Sequence, residues 1–301
     1  MTAPSVERRP SELAQRVASA VVIAPVAVAC VWFGNAPLAT LLAGAAGVGA
    51  WEFYRMADAA SGARALARTG IVLSALVPLA VHAGIQLPRT PLPVATAAAI
   101  ATVAVLGVLA LAVWRRGADG RPLTAVATTV LGVLYVGVPL SFGYALRHHD
   151  FVADARGGTA LVMLPVLCTW ASDIGAYVAG RLIGGPKLIP SVSPGKTVAG
   201  ALGALVASAA LAAFYVPAVL RPAASLGMAP GRALLFGVLI SLAAQLGDLV
   251  ESLLKRDARV KDSSHLIPGH GGVLDRVDSL LFALPVAHLV LGWLLLPAFG
   301  G

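Results

Sequence analysis

The chain has 301 residues, of which 58% are hydrophobic and only 12% are charged, and its formal net charge is +8. This composition excludes a soluble globular protein and predicts an integral membrane protein, in which only helices or closed barrels satisfy the backbone. The long apolar runs exclude a barrel, whose strands would alternate in short segments. The positive charge would suggest nucleic acid in a soluble chain, but here it reports membrane topology, and no nucleic-acid partner is predicted.

The apolar runs predict an all-α, polytopic membrane protein with about nine transmembrane helices. The predicted spans are residues 13–33, 36–54, 70–86, 92–114, 122–146, 158–180, 198–220, 232–254 and 277–299. Residues 1–12 are polar and contain two prolines, which predicts a disordered cytoplasmic N-terminus. The first five spans form an N-terminal region, 13–156. The last four form a C-terminal catalytic region, 157–301, whose charged cytoplasmic loops, 181–197 and 255–276, are expected to form the active site.

The basic residues sort by side of the membrane. With the N-terminus inside, 17 of the 22 lysines and arginines fall in inside segments. The five on the outside are Arg89, Arg147, Arg156, Arg221 and Arg232. This bias follows the positive-inside rule. It predicts a multi-pass protein of the inner, or cytoplasmic, membrane, and the odd number of spans places the C-terminus outside.

The N-terminal region carries little predicted chemistry. Glu52 lies near a predicted cytoplasmic end and is interpreted as an interfacial carboxylate that pairs with Arg55, rather than as a catalytic group. On the outer side, His82 is interpreted as structural. The polar run 147–150, which contains two histidines, is interpreted as solvated rather than metal-binding.

Two carboxylates of the C-terminal region lie inside predicted spans, Asp173 in the sixth and Asp248 in the eighth. Ionisable residues inside spans are candidates for function. Each precedes a basic residue at the cytoplasmic boundary by seven or eight positions, so both are expected roughly 10 to 12 Å below that boundary. We therefore expect both to face one shared, water-filled cavity that opens to the cytoplasm and to the lipid.

The eighth span carries a polar stripe at positions i, i+3, i+4 and i+7 of one helical face, formed by Asp248, Glu251, Ser252 and Lys255. Beyond the following loop, Asp275 and Asp278 are three residues apart at the start of the ninth span, so both project from one face. Asp248 and this pair can then converge on a divalent cation. Oxygen-only ligands at a phosphate site favour Mg²⁺ over zinc.

Two other patterns allow alternative interpretations. Residues 195–197 end like a nucleotide-binding P-loop, but Pro190 stands where that pattern requires glycine and a span precedes it, so we reject this interpretation. Lys196, before a helix start, can still offer donors to phosphate. His265 and His270 could bind zinc, but neighbouring lysines would repel a cation and no cysteine is near. A histidine that donates to phosphate is the favoured interpretation.

The stretch 252–278 resembles the C-terminal signature of the CDP-diacylglycerol synthases, also called phosphatidate cytidylyltransferases. The fixed positions of that signature are matched by Ser252, Lys255-Arg256, Lys261-Asp262, Ser264, His270-Gly271-Gly272 and Asp275-Arg276-Val277-Asp278. A looser upstream segment is matched by Asp173, Tyr177, Gly180-Arg181 and residues 193–197. Ala199 stands where that family usually has a glutamate. The resemblance covers residues 165–280 well.

The resemblance implies transfer of CMP from CTP to phosphatidate, giving CDP-diacylglycerol and pyrophosphate in phospholipid biosynthesis. The residues it implies as catalytic are Asp248, Asp275, Asp278, Lys255 and Arg256. Those it implies as substrate-binding are Asp173, Lys196, Ser252, Lys261, His270 and Arg276. Mg²⁺ on Asp248, Asp275 and Asp278 would bridge the triphosphate and the lipid phosphate. The implied partners are CTP, the phosphatidate lipid and the bilayer, with a second, monovalent ion such as K⁺. A homodimer is left open.

Three other classes of protein compete with this interpretation. A CTP-dependent lipid or polyprenol kinase would share the nucleotide site but would transfer the γ-phosphoryl group. A transporter would place its charges in mid-span, in paired halves with broken helices. A purely structural membrane protein would not need four buried carboxylates.

Overall fold

The computed structural model describes residues 12–62, 64–86 and 94–297. Within these residues the chain is predominantly helical. The helices are α1 Glu12–Phe33, α2 Asn35–Ser61, α3 Ala67–Gln86, α4 Val94–Arg115, α5 Pro122–Gly132, α6 Val138–Arg147, α7 Ala155–Leu182, α8 Val198–Tyr215, α9 Arg221–Ala224, α10 Pro230–Asp257 and α11 Leu274–Leu294. One π-helical turn, Val133–Gly137, joins α5 to α6, and another, Val216–Leu220, joins α8 to α9.

By length and composition, seven helical segments of the described residues are able to cross a membrane. They are Ala67–Gln86, Thr96–Arg115, Pro122–Arg147, Ala155–Leu182, Val198–Ala224, Pro230–Asp257 and Leu274–Leu294. Helix α1 contributes a shorter apolar segment, Val21–Phe33. The predicted class, an all-α polytopic membrane protein, is confirmed, whereas the count of nine spans stays a prediction.

The ends of the chain only partly meet the predicted boundaries. Residues 1–11, where a disordered N-terminus is predicted, lie outside the described residues, and α1 begins at Glu12. The last predicted span, 277–299, is shifted, because α11 begins at Leu274 and ends at Leu294. The backbone is extended at Leu295, and the following strand β4, Leu296–Pro297, pairs antiparallel with β3, Leu226–Gly227.

The helices that surround the predicted site pack through small residues. A Cβ added at Gly175 of α7 would lie 2.5 Å from the carbonyl oxygen of Gly203 on α8. One added at Gly237 of α10 would lie 2.5 Å from the carbonyl oxygen of Ser208 on α8. Such close backbone contact is typical of membrane helices that associate through glycine, alanine and serine. The chain therefore forms a tight bundle of α7, α8 and α10.

Helix α2 connects the N-terminal region to this bundle. Its Tyr54 is buried and donates a hydrogen bond to the carbonyl oxygen of Thr129 on α5, at 2.7 Å. Phe53 of α2 belongs to the same buried apolar cluster as Leu274 and Leu281 of α11. The end of α2 that contains these residues thus packs directly against the start of α11.

Candidate active site

A cavity of about 400 Å³ lies between α7, α8, α10 and a short antiparallel hairpin. The side chains that line it include Asp173, Tyr177, Arg181, Lys196, Thr197 and Asp248. Asp173 and Asp248 therefore share one cavity, as their common depth predicts.

The hairpin places Lys196 just before the N-terminus of α8. Its strands, β1 Lys187–Ile189 and β2 Ser193–Thr197, occupy what the sequence predicts to be a charged loop. Thr197 ends β2 and caps α8, since its hydroxyl oxygen accepts a hydrogen bond from the Gly200 amide at 3.0 Å. The preceding Lys196 consequently stands where the amide groups and dipole of α8 favour an anion.

Lys196 also bridges two helices through an ion pair. Its Nζ lies 2.6 Å from Oδ2 of Asp248 on α10, and the two side chains are 27% and 36% exposed. Ser252, one turn further along α10, donates to Oδ1 of Asp248 at 3.4 Å. Nζ of Lys196 is itself buried, whereas the Asp248 side chain is partly exposed, so the pair faces the cavity, where a phosphate or a cation can replace one of the two partners.

A second, more deeply buried cluster surrounds Lys255. Its Nζ lies 2.5 Å from Oε2 of Glu251 and 2.8 Å from Oδ1 of Asp275, so one ammonium group joins α10 to the start of α11. Oε1 of Glu251 is buried and has no hydrogen-bond partner among the described residues. In this arrangement Lys255 is committed to two carboxylates, whereas the family resemblance implies that it contacts substrate.

Asp275 is largely engaged by the protein itself. Its side chain is 5% exposed, and its Oδ2 accepts hydrogen bonds from the Ser263 amide at 2.9 Å, the Ser263 hydroxyl at 2.9 Å and the Gly272 amide at 2.8 Å. Its Oδ1 faces Lys255. Both oxygens are thus occupied by donors, which does not fit the predicted role of a direct metal ligand.

Asp248 and Asp278 fit a magnesium ion better. Each accepts fewer donors than Asp275 in the described part of the chain: Oδ2 of Asp248 faces Lys196, and Oδ1 of Asp278 accepts from the Ser279 amide at 2.6 Å. Among the described residues, no three His, Cys, Asp or Glu side chains are grouped closely enough to hold a metal ion. Mg²⁺ does not need such a cage, because one or two carboxylates plus substrate phosphates commonly complete its shell.

The remaining predicted site residues lie around the loop between α10 and α11. Arg256, Lys261 and Arg276 are exposed, and the Nε of Arg256 donates to the carbonyl oxygen of Val192 in the hairpin at 3.3 Å. Nδ1 of His270 lies 2.7 Å from the Ser19 hydroxyl on α1. Arg256 thus contacts the hairpin that borders the cavity, whereas His270 contacts the N-terminal region.

The interpretation of Glu52 as an interfacial partner of Arg55 is wrong. Glu52 is fully buried, and its carboxylate accepts four hydrogen bonds from the loop before α11 and from the first residues of that helix. The donors are the hydroxyls of Ser263 (3.2 Å) and Ser264 (2.5 Å) and the amides of Val273 (3.0 Å) and Leu274 (2.6 Å). Arg55 instead stacks over the ring of Trp51, at 4.9 Å. The one sequence signal for this role is a carboxylate within a hydrophobic helix.

Fold and site together define a class of protein: a polytopic helical membrane protein whose charged cavity lies at one end of a tight bundle and is suited to an anionic ligand. The sequence model of the Cytidylyltransferase family matches residues 14–294. The chain belongs to that family, which confirms the resemblance carried by its C-terminal signature.

Curated proteins with the name phosphatidate cytidylyltransferase are similar to this chain. The one from Staphylococcus saprophyticus is 38% identical over 165 residues, which cover 55% of this chain and 58% of that protein. The one from Bacillus subtilis is 37% identical over 161 residues, 54% of this chain and 56% of that protein. The chain therefore matches just over half the length of these relatives.

Proposed function

We propose that this protein is a phosphatidate cytidylyltransferase, which transfers CMP from CTP to phosphatidate and releases pyrophosphate. Family membership and the names of the relatives support this activity. The structural observation that carries it is the Lys196–Asp248 ion pair at the start of α8, inside a cavity that also contains Asp173. A cation, a helix N-terminus and carboxylates in one place suit a triphosphate and its metal ion.

The reaction needs positioning more than proton transfer. A phosphate monoester is largely ionised near neutral pH, since its second pKa is about 6. One of its oxygens attacks the α-phosphorus of CTP. The bond from that phosphorus to the oxygen bridging the β-phosphorus breaks, and pyrophosphate leaves with the electron pair. Lys196 and Arg181, which line the cavity, would hold the phosphate oxygens in line and offset their charge.

The chemistry of the acidic side chains supports magnesium as the metal ion of this site. Asp248 and Asp278 would hold the ion, which when bound supplies positive charge to the triphosphate. Asp275 would instead act indirectly, because its oxygens already accept four hydrogen bonds. The second, monovalent ion such as K⁺ stays a prediction, and the homodimer stays open.

The lipid substrate requires a path from the bilayer. Tyr177 lines the cavity and is also 65% exposed on α7, so the cavity reaches the outer surface of the bundle there. Leu182 and Ile183, at the end of the same helix, are exposed apolar residues. We propose that the phosphatidate headgroup enters beside Tyr177 while its acyl chains stay in the lipid.

The topology follows from the same proposal. CTP is cytoplasmic, so the hairpin and the loop between α10 and α11 would face the cytoplasm, with α1 and α2 completing nine spans in the inner membrane. Cysteines substituted at exposed His265 and Asp150, in a chain without Cys30 and Cys168, test this orientation. A membrane-impermeant maleimide should label H265C only from the inside and D150C only from the outside; the reverse pattern would refute the proposed topology.

The decisive experiment uses CTP labelled at either phosphorus. Purified protein in detergent is given phosphatidate, Mg²⁺ and CTP with label at the α- or the γ-phosphate. A cytidylyltransferase moves the α-label into lipid and the γ-label into pyrophosphate. Transfer of the γ-label to lipid would identify a CTP-dependent kinase instead, and no lipid label in either case would refute both activities.

A further inference from the structure

Glu52 connects two parts of the chain that are far apart in sequence. It lies on α2, in the N-terminal region, and its four donors lie 211 to 222 positions later. Its side chain is fully buried and does not line the cavity that contains Lys196 and Asp248. Glu52 therefore has no direct access to substrate, and any effect it has on the reaction must pass through the residues it holds.

The first of these effects concerns the start of α11. The first amides of a helix lack intrahelical acceptors, and a side chain at the N-cap position usually accepts from them. Val273 occupies that position in α11 and has no side chain that can do so. Glu52 takes this role from another helix, because it accepts from the amides of Val273 and Leu274. A carboxylate is also favoured there by the helix dipole.

The second effect concerns the loop. The Ser263 hydroxyl has a single proton and lies 3.2 Å from Glu52 and 2.9 Å from Asp275, so it bridges the two carboxylates. Asp275 in turn meets Lys255 on α10. A continuous polar chain therefore runs from α2 through the loop and α11 to α10, and Glu52 is its N-terminal member.

The carboxylates of Glu52 and Asp275 explain why positions 271 and 272 of the loop are both glycine. A Cβ added at Gly272 would clash with Oε1 of Glu52 and with the Ser263 hydroxyl. One added at Gly271 would come within 2.7 Å of Oδ2 of Asp275, and Gly271 has a φ of +78°, which favours glycine. The backbone must approach both carboxylates this closely to donate its amides to them.

We propose that Glu52 is a positioning residue for the transfer reaction: by locking residues 263–274 to α2, it sets the orientation of Asp275 and Asp278 at the start of α11. This inference rests on the proposed function for its consequence in catalysis. The lock itself is a property of the fold. Through Glu52, the N-terminal region contributes to a site whose sequence signature lies wholly in the C-terminal region.

The test compares Glu52→Gln with Tyr54→Phe. Glutamine keeps one acceptor oxygen but points an NH₂ group at donors. Y54F removes a buried hydrogen bond from the same helix, but that bond runs to Thr129 on α5. We expect amide exchange across residues 263–274 to be faster by about tenfold or more in E52Q and unchanged in Y54F. Faster exchange there in Y54F as well would indicate general destabilisation and would overturn the proposal.

Kinetics supply the second measurement. E52Q should lower kcat per folded molecule by about a hundredfold, as expected when catalytic groups are displaced by about 1 Å. The KM for CTP should change by less than about threefold, because Lys196 and the start of α8 are untouched. A purely structural role predicts unchanged kcat for the folded fraction, and that result would overturn the positioning role.

Ser264→Ala keeps the inference testable if E52Q does not fold. It removes one of the four donors and leaves the carboxylate in place, so the same changes should appear in smaller measure. Wild-type exchange and kcat in S264A would contradict the proposal. If the wild-type protein itself transfers no cytidylyl group, the proposed function fails, whereas the exchange measurements still decide whether Glu52 locks the loop.

Discussion

The molecule has a polar cavity at each end of its bundle, and the two differ in what their charges contact. The second cavity, of about 340 Å³, is lined by residues that include Arg147, His148 and Asp154. Its buried guanidinium group donates to the carbonyl oxygens of Val31 at 2.7 Å and Trp32 at 2.8 Å, at the end of α1. In the first cavity, Lys196 and Asp248 contact each other and stay partly exposed.

This difference distinguishes polar groups that stabilise the fold from polar groups that are free to bind a substrate. Asp154 caps α7 by accepting from the Gly157 amide at 2.7 Å, and Nε2 of His148 accepts from the Asn35 amide at 3.2 Å. The polar groups of the second cavity thus satisfy backbone groups at helix ends, as buried polar atoms must. In the first cavity, Lys196 and Asp248 instead pair with each other, and a substrate can replace either partner.

The largest expected effect is that of Asp248→Asn or Asp278→Asn. Each removes a carboxylate charge from the first cavity or its surroundings without removing a backbone contact between helices. We expect turnover to fall about a thousandfold, with little change in thermal unfolding. Transferase assays with Mg²⁺ as sole divalent ion, together with unfolding in detergent, check both. Near wild-type turnover in either variant would end the magnesium assignment for that residue.

Asp275→Asn should show both kinds of effect, because Asp275 joins the loop, α10 and α11. Asparagine has one acceptor oxygen in place of two and no charge for Lys255. We expect turnover to fall about a hundredfold and the free energy of unfolding to fall by about 2 to 3 kcal/mol. A variant as stable as wild type but inactive would return Asp275 to the role of a metal ligand.

Lys196→Met and Arg147→Met compare the two cavities directly. K196M should lower kcat/KM by about a hundredfold and change stability less than R147M does, since the ion-pair partner of Lys196, Asp248, is 36% exposed. R147M should lower the free energy of unfolding by about 2 to 3 kcal/mol, because two carbonyl groups lose a charged donor. Its activity per folded molecule should match wild type. Loss of activity in folded R147M would contradict the division between the two ends.

The smallest expected effect is a pH dependence of stability at the second cavity. Burial lowers the pKa of His148, and the nearby charge of Arg147 acts in the same direction. Burial likewise lowers the pKa of His149. A lowered pKa means that the unfolded chain binds protons more readily, so stability should decline as pH falls below about 6.5. His148→Gln should reduce that decline in unfolding measured between pH 7 and 5; an unaltered decline would assign it to other groups.

The sequence predicts well those features that depend on local periodicity. The seventh helix of the structure, Ala155–Leu182, contains the predicted span 158–180, and the depth argument for Asp173 and Asp248 correctly places them in one cavity. The pairing of Lys255 with Glu251 also follows from an i, i+4 spacing on one helical face. In each case the partners lie on one helix or at a depth set by residue count.

Features that depend on distant partners could not be predicted in this way. The interpretation of Glu52 fails because its local neighbours offer Arg55, while its true donors begin 211 positions later. The spacing that predicts Asp275 as a magnesium ligand likewise cannot reveal that the amides of Ser263 and Gly272 donate to its Oδ2. The hairpin at 187–197 is similarly set by pairing across a turn rather than by a repeated pattern.

The hydrogen bonds between Glu52 and residues 263–274 also have a consequence for biogenesis. Ribosomes release α2 long before they synthesise α11, so the carboxylate spends that interval without the four donors that later surround it. An unpaired charge is costly inside lipid. The end of α2 that carries Glu52 is therefore expected to stay at the aqueous interface until α11 has been inserted. A nascent chain arrested before residue 263 should leave Glu52 open to a water-soluble carbodiimide, whereas the completed chain should protect it. Assembly of this protein would then finish only when α11 packs against α2.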